Sequence, residues 1–328
     1  MLKLKTLLAA AGGLALLANT ASAQTEIKFG HVGAPGSLFA QSAELFAAAA
    51  NKKLGNKAKV VVYGSSQLGS DSELLKKLKL GTADLALPST VMTSVAPEFG
   101  VFEMPYLVKD REHMKRIQEA VFWPTLAPAA EKQGYKVLAV WENGFRHITN
   151  NVRPIVTPED LKGIKLRTPS GEWRVKMFQA YGANPTPMSF SEVFTALQTG
   201  VVDGQENPLT QISSGNFQEV QDYLSMTGHV YTPAYLLVGV NTWESWPEEV
   251  RTILEETARE TQAFVYENAE RLEGELLTQM QEESDIKVNE ADKDAFIAAS
   301  SAIYEEFGTQ VEGGKEMIDT AISLGQKP

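Results

Sequence analysis

Strand-like and helix-like segments alternate near the start of this chain, and that order restricts the fold more than any other feature. Residues 26–32 alternate polar and apolar side chains like a strand, 38–51 are helix-like, and 59–63 are rich in β-branched residues. A helix to about Leu80 and a short apolar strand at 83–87 follow. Because β-α-β-α order places helices on both faces of a parallel or mixed sheet, the sequence predicts an α/β fold.

Local signals predict where several elements begin and end. Ser70 or Asp71 is suited to cap a helix that Gly81 ends. Further along, Ser170 is the predicted N-cap of a helix, Val201-Val202 a brief strand, and Asn207 the N-cap of a helix with Pro208 in its first turn.

The length of the chain and one long helical segment indicate two lobes. A chain of 328 residues exceeds what one hydrophobic core usually serves. Residues 247–283 are helix-like, and at the rise of an α-helix they would span about 50 Å, which is enough to touch both lobes. We place lobe I at residues 24–145 plus about 233–272, and lobe II at about 146–232 plus 273–328, interwoven by several crossings.

The first 23 residues have the composition of a secretory signal peptide. Lys3 and Lys5 precede an apolar run at 7–18, and Ala21-Ser22-Ala23 is a small-residue cleavage site. We expect the mature chain to begin at Gln24. No later segment approaches 18 consecutive apolar residues, so we expect a soluble exported protein, most simply in a bacterial periplasm.

Charge and composition exclude several functional classes. The net charge of −11 argues against nucleic-acid binding. The chain has no Cys, which removes thiolate catalysis, zinc–thiolate sites and disulfides, and its four His are scattered without metal-ligand spacing. We therefore expect no metal, no cofactor and no enzymatic activity. An exported hydrolase that uses paired carboxylates stays an alternative, because Asp and Glu are plentiful.

Polar residues at the predicted strand ends are the first candidates for a ligand site. Ligands of open α/β sheets bind where the loops at the carboxyl ends of the strands diverge. His31, Ser65-Ser66, Ser89 and Arg167 occupy such positions. Arg167 is the most informative, because a guanidinium held at a strand end suits a bidentate grip on a carboxylate. A structural salt bridge is its alternative role.

The segment from Asn143 to Pro208 resembles a known family. Its linked motifs, in order, are Asn143-Gly144-Phe145-Arg146, Thr149-Asn150, Pro158 to Pro169, Gly182 to Val193, and Ala196 to Pro208. They are similar to those of the DctP-type solute-binding proteins of TRAP (tripartite ATP-independent periplasmic) transporters. The similarity extends from the first strand to the long C-terminal helix.

This resemblance implies a two-lobe clamshell that closes on a small organic anion and delivers it to a membrane permease driven by an ion gradient. It implies that Arg167 clamps the ligand carboxylate, with Arg146 as a second arginine of the cleft. By the same matching, Asn207 supplies an amide to the carboxylate, Phe190 an aromatic wall, and Asp71 a polar group from the first lobe. Helix capping or core packing is the alternative role of the last three. We expect a monomer.

Departures from the family pattern limit what can be said of the ligand. Relatives that bind sialic acid carry a carboxylate near the end of the third strand, where this chain has Pro88-Ser89-Thr90, so sialate is disfavoured. Trp173 is a candidate for the floor of the pocket, and Arg174 is a candidate partner for a second anionic group; for both, the alternative is a position on the helix surface or between the lobes. His31 is a candidate ligand contact, and its alternative is a core or loop position.

Two questions stay open at this point. C4-dicarboxylates and sugar acids such as uronates both fit a single arginine clamp. A receptor that hands its closed lobes to a sensor protein uses the same binding chemistry as a receptor that serves a permease.

Overall fold

The computed structural model describes residues 24–326, so the predicted signal peptide lies outside the described residues. The strands are β1 (Thr25–Gly30), β2 (Ala58–Tyr63), β3 (Leu85–Ala86), β4 (Tyr135–Asn150), β5 (Lys165–Thr168), β6 (Asn184–Pro187), β7 (Gly204–Pro208), β8 (Tyr223–Met226), β9 (Tyr231–Gly239) and β10 (Lys287–Glu290).

The α-helices are α1 (Leu38–Leu54), α2 (Asp71–Leu80), α3 (Arg111–Ile117), α4 (Ala127–Lys132), α5 (Glu172–Ala180), α6 (Val193–Gln198), α7 (Leu209–Ser214), α8 (Val240–Ser245), α9 (Glu248–Glu283), α10 (Lys293–Ala298), α11 (Ser301–Gln310) and α12 (Gly314–Leu324). Short 3₁₀ segments include Pro97–Glu103 and Phe190–Glu192, and Gln118–Leu126 is a π-helical segment. No helix within residues 24–326 is both long and apolar enough to cross a bilayer.

One strand, β4, joins the two halves of a mixed sheet. The strand order is β2-β1-β3-β9-β4-β7-β5-β6, and β8 pairs with both β4 and β10. Tyr135 to Phe145 of β4 pair with β9, whereas Arg146 to Asn150 pair with β7. A register shift between Glu142 and Gly144, where Gly144 has φ +121°, interrupts the pairing just before this change of partner. The fold is therefore the α/β clamshell expected, with lobes interwoven through β4.

Helix α9 connects the two lobes. It is 36 residues long, as the sequence predicts, and it packs against α1, β4 and α7. Its N-terminal part, from Val250 to Ala269, belongs to the core built around β1, β2 and α1. Met280, near its C-terminal end, belongs instead to the core formed with α6 and α7.

The C-terminal helices pack on both lobes. Phe307 of α11 contacts Trp173 of α5, with 5.1 Å between the ring centroids. Helix α12 packs against α3, and the His113 ring lies 2.7 Å from the Ala321 carbonyl oxygen. The lobe boundaries drawn from the sequence stay a prediction, and α12 contacts residues that those boundaries place in lobe I.

Several predicted local details are wrong. Gly171, not Ser170, is the N-cap of α5. Val201-Val202 lies in a loop in which Val201 is exposed, and Asn207 lies within β7 instead of capping a helix. Asn207 pairs with His147 as β7 joins β4 and β5, and this pairing between residues distant in sequence overrides the local helix-cap signal.

Candidate functional site

A small cavity lies between the lobes, where α2, β4, β5 and β7 meet. Its walls come from both halves of the sheet: Val32, Phe39, Asp71, Ser89, Thr90 and Val91 from the first, and Asn143, Arg146, Arg167, Pro169, Phe190, Asn207 and Gln211 from β4 and the second. Six of the predicted ligand-binding residues line it: Asp71, Ser89, Arg146, Arg167, Phe190 and Asn207.

Arg167 is held rigidly, with one nitrogen left free. It is 2% exposed, and its Nε and Nη2 both donate to the Met188 carbonyl oxygen, at 3.0 and 2.6 Å. Its Nη1 is buried without a hydrogen-bond partner among the described residues. Burial lowers the pKa of the guanidinium to about 9, although nearby Glu206 and Asp71 favour its charged form. The cavity thus contains a desolvated cation that is ready to accept an anion.

Arg146 lines the same cavity, but its charge is already compensated. Its Nε donates to Glu206 Oε2 at 2.5 Å, and its Nη2 donates to Glu206 Oε1 at 3.0 Å. Glu206 also accepts from Arg174 Nη1 at 2.6 Å, and Arg174 pairs with Glu103 at 2.7 Å. Burial alone would raise the pKa of Glu206, but Arg146 and Arg174 hold it well below its usual value. This buried cluster balances two arginines with two glutamates, so Arg167 is the cation in excess.

Asp71 approaches the cavity from the first lobe. Ser70, the residue before it, is the N-cap of α2 and forms a capping box with Glu73, which leaves the Asp71 side chain free of a capping role. Asp71 Oδ1 is buried and has no hydrogen-bond partner in the described chain, although other parts of the residue are partly exposed. Burial raises the pKa of this carboxyl to about 7, against the opposing effect of the Arg167 charge.

Three amides complete the polar lining. Asn207 Oδ1 accepts from Arg146 Nη2 at 3.0 Å, and its Nδ2 donates to Gln205 Oε1 at 2.6 Å. Gln211 Nε2 donates to Asn143 Oδ1 at 3.3 Å, which leaves Gln211 Oε1 buried and unpartnered among the described residues. Asn143 and Gln211 were not among the predicted ligand-binding residues. Asn143 begins the family motif Asn143-Gly144-Phe145-Arg146, whereas Gln211 lies in none of the motifs that indicated the family.

Ser89 and Phe190 lie in the cavity wall in different ways. Ser89 Oγ donates to the Pro233 carbonyl oxygen at 2.7 Å and accepts from Asn143 Nδ2 at 3.3 Å. Phe190 begins a 3₁₀ turn that the Ser189 capping box starts, and its ring packs on Phe217 with centroids 5.6 Å apart. Phe190 therefore has both an apolar packing role and a face toward the cavity.

Two predicted ligand contacts, Trp173 and His31, lie outside the cavity lining. Trp173 is a core residue, 3% exposed, against Phe307 and Gly100, because its helix α5 packs on the Pro97–Glu103 segment. His31 is 1% exposed beside Phe29, and burial lowers the pKa of its ring to about 4. Arg174, the candidate partner for a second anion, is also wrong in that role, since Glu103 and Glu206 already bind it.

The interlobe cavity is a better candidate site than the larger groove on the surface between α3 and α9. In that groove Arg111 already bonds Glu142 and Glu273, at 2.7 and 2.8 Å. Residues 24–326 contain no group of three or more His, Asp or Glu side chains arranged to hold a metal. The cavity is thus suited to hold a small anion by charge and hydrogen bonds.

Comparison with known proteins agrees with this architecture. The family model described as bacterial extracellular solute-binding protein, family 7 (DctP), matches residues 29–310. The sialic acid-binding periplasmic protein SiaP of Vibrio cholerae is 32% identical over 90% of this chain and 92% of its own length.

Solved structures agree as well. A TRAP periplasmic solute-binding protein from a Polaromonas species, bound to D-erythronate, is 32% identical, with a TM-score of 0.88 over 93% of this chain and 100% of that one. A second, from Sulfurospirillum deleyianum with bound succinate, is 31% identical, with a TM-score of 0.88 over 92% of this chain and 99% of that one. The chain therefore belongs to the DctP family of solute-binding proteins that serve TRAP transporters.

Proposed function

We propose that this chain captures a small organic acid in the periplasm, through Arg167, and delivers it to the ion-gradient-driven permease of a TRAP transporter. The observation that carries the proposal is the free Nη1 of a buried guanidinium whose neighbouring arginines are already paired with glutamates. A ligand carboxylate supplies the missing acceptor and charge. Charge-assisted hydrogen bonds in a desolvated cavity are stronger than those between neutral groups.

Closure of the lobes follows from the same arrangement. The cavity wall contains Asp71 of the first lobe and Arg167 of the second. A ligand that touches both walls favours the closed arrangement by the free energy of those contacts, and the permease then selects the closed form. The single clamp accommodates a C4-dicarboxylate or a sugar acid. The neutral Ser89 and Thr90 in the wall, where sialate-binding relatives carry a carboxylate, argue against sialate.

Binding measurements test the proposal. Purified protein, unfolded and refolded to remove any bound ligand, is titrated by calorimetry with aldonates, uronates and dicarboxylates, and with the primary amides of the same acids. We expect one class of acid to bind and its amide counterpart to bind at least about 100-fold more weakly, since the amide carries no charge for Arg167. Binding of amide and acid with equal affinity would contradict the anion clamp.

Two further measurements separate the alternatives. Recovery of the bound acid unchanged after overnight incubation, measured by mass spectrometry, argues against an exported hydrolase. Uptake of the labelled acid by cells that lack this chain, restored by the parent and not by Arg167→Ala, supports delivery to a permease. Unimpaired uptake in the deletion strain would favour a receptor that serves a sensor protein.

A further inference from the structure

The cavity leaves three buried polar atoms without partners, and together they describe the ligand. Arg167 Nη1 is a donor, whereas Asp71 Oδ1 and Gln211 Oε1 are acceptors, and none has a hydrogen-bond partner in the described chain. All three residues line the cavity. Because a buried polar group without a partner is unfavourable, a well-matched ligand supplies one acceptor to Arg167 and hydrogen-bond donors to the other two atoms.

The lining of the cavity contains no free cation to pair with a second ligand carboxylate. The cations that line it are Arg146 and Arg167, and Glu206 already neutralises Arg146 through two hydrogen bonds, at 2.5 and 3.0 Å. A second ligand carboxylate would therefore lie in the same small cavity as Asp71 without a free cation. Like charges in a desolvated cavity repel strongly.

We propose that the ligand is a hydroxylated monocarboxylate, of the aldonate or uronate type, whose hydroxyl groups donate to Asp71 and Gln211. In this arrangement Asp71 is a specificity-determining residue that rejects dicarboxylates of the same length. The inference rests on the proposed function, because it assigns the ligand class of the same site.

The electrostatics of Asp71 agree with this role. Without a donor, burial raises the pKa of its carboxyl to about 7. A hydroxyl group that donates to Oδ1 stabilises the ionised form. A hydroxy acid thus gives the buried Asp71 carboxylate the hydrogen-bond donor that it lacks. An unsubstituted dicarboxylate gives it no donor and adds a second negative charge nearby.

Calorimetric titration at pH 7.5 with two length-matched pairs tests the inference. The pairs are D-erythronate with succinate, and D-gluconate with adipate. For the parent protein we expect the hydroxy acid of at least one pair to bind tenfold or more tightly than its dicarboxylate. In Asp71→Asn we expect that ratio to fall by at least tenfold, because the amide no longer repels a second carboxylate and is a weaker acceptor. Asp285→Asn changes an exposed aspartate outside the cavity and is expected to keep the parent ratio.

The possible results separate this inference from the proposed function. If succinate and adipate each bind the parent protein as tightly as the corresponding hydroxy acid, the inference is wrong while the acid-binding function stands. An unchanged ratio in Asp71→Asn, with urea denaturation showing a folded variant, refutes the role given to Asp71. If neither these four acids nor any acid of the wider panel binds, both the inference and the proposed function are overturned.

Discussion

Replacing Arg167 by Met is expected to abolish ligand binding without weakening the ligand-free fold. Burial lowers the pKa of Arg167 to about 9, and relative to an ordinary arginine this corresponds to about 4 to 5 kcal/mol against the charged form in the folded protein. Met removes that cost but loses the two hydrogen bonds to the Met188 carbonyl oxygen, each worth about 1.5 to 3 kcal/mol. These effects nearly cancel, so the free energy of unfolding should stay within about 2 kcal/mol of the parent value.

The affinity for the acid should change far more. Removing one partner of a buried, hydrogen-bonded charge pair costs about 2 to 5 kcal/mol, so we expect at least a 30-fold loss of affinity. Calorimetry with the acid identified in the panel measures this loss, and urea denaturation followed by tryptophan fluorescence measures the stability of the ligand-free protein. Arg259→Met is the matched control, because the Arg259 side chain is 62% exposed and does not line the cavity.

Two results would refute this reasoning. Affinity equal to that of the parent in Arg167→Met would show that Arg167 does not hold the carboxylate. A ligand-free variant destabilised by more than about 4 kcal/mol would show that Arg167 is mainly a structural residue, since hydrogen bonds of ordinary strength to one carbonyl do not account for such a loss once the desolvation cost is removed.

Further predictions concern the surroundings of the site. Burial lowers the pKa of His31 from 6.5 to about 4, so the unfolded chain takes up a proton before the folded protein does and the free energy of unfolding falls as the pH drops through this window. Between pH 7.5 and 5, the free energy of unfolding measured in urea should therefore fall by about 2 kcal/mol less for His31→Asn than for the parent. Glu206→Gln leaves the buried Arg146 without a carboxylate partner, while Arg174 keeps Glu103, and should cost about 3 to 5 kcal/mol in the same assay. The partly exposed Glu255→Gln should cost less than about 1 kcal/mol. Gly204→Ala should lower the free energy of unfolding by more than about 2 kcal/mol, because its Cβ would clash with the Thr149 carbonyl oxygen. Gly274→Ala, with open space around an exposed position in α9, should raise it by about 1 kcal/mol.

The sequence predicts well those features of the fold that residues close to one another in the chain determine. Ser70 or Asp71 is the predicted N-cap of α2 and Gly81 its predicted end, and the structure confirms Ser70 and Gly81 in these places. The structure adds a capping box between Ser70 and Glu73. The length of α9 follows in the same way from a long helix-like segment that contains no Pro beyond Pro247 and a single Gly, Gly274. In each case the residues that determine the element are a few positions apart, so no knowledge of tertiary contacts is needed.

The polar network around the cavity could not be predicted, because its partners are distant in sequence. Arg146 is 60 residues from Glu206. The sequence shows both residues but not that Glu206 neutralises Arg146, and so it does not show which of Arg146 and Arg167 keeps a free charge. Asn143 and Arg146 both line the cavity although three positions separate them on one strand, which regular alternation forbids. The register shift between Glu142 and Gly144 accounts for this, and it depends on pairing with β9.

The ionic cluster explains how a chain with a net charge of −11 can hold an anion. At long range such a protein repels anions, so attraction has to come from a cation that acts only at short distance. Two buried arginines paired with Glu103 and Glu206 contribute little net charge, but they surround Arg167 with fixed groups that cannot rotate to satisfy its free nitrogen. The ligand must then provide that partner itself. A ligand that carries only a carboxylate contacts Arg167 of the second lobe. A hydroxylated acid also donates a hydrogen bond to Asp71 of the first lobe. Selectivity for hydroxy acids and closure of the lobes would therefore arise from the same contacts, which is why Asp71 is the residue to change first.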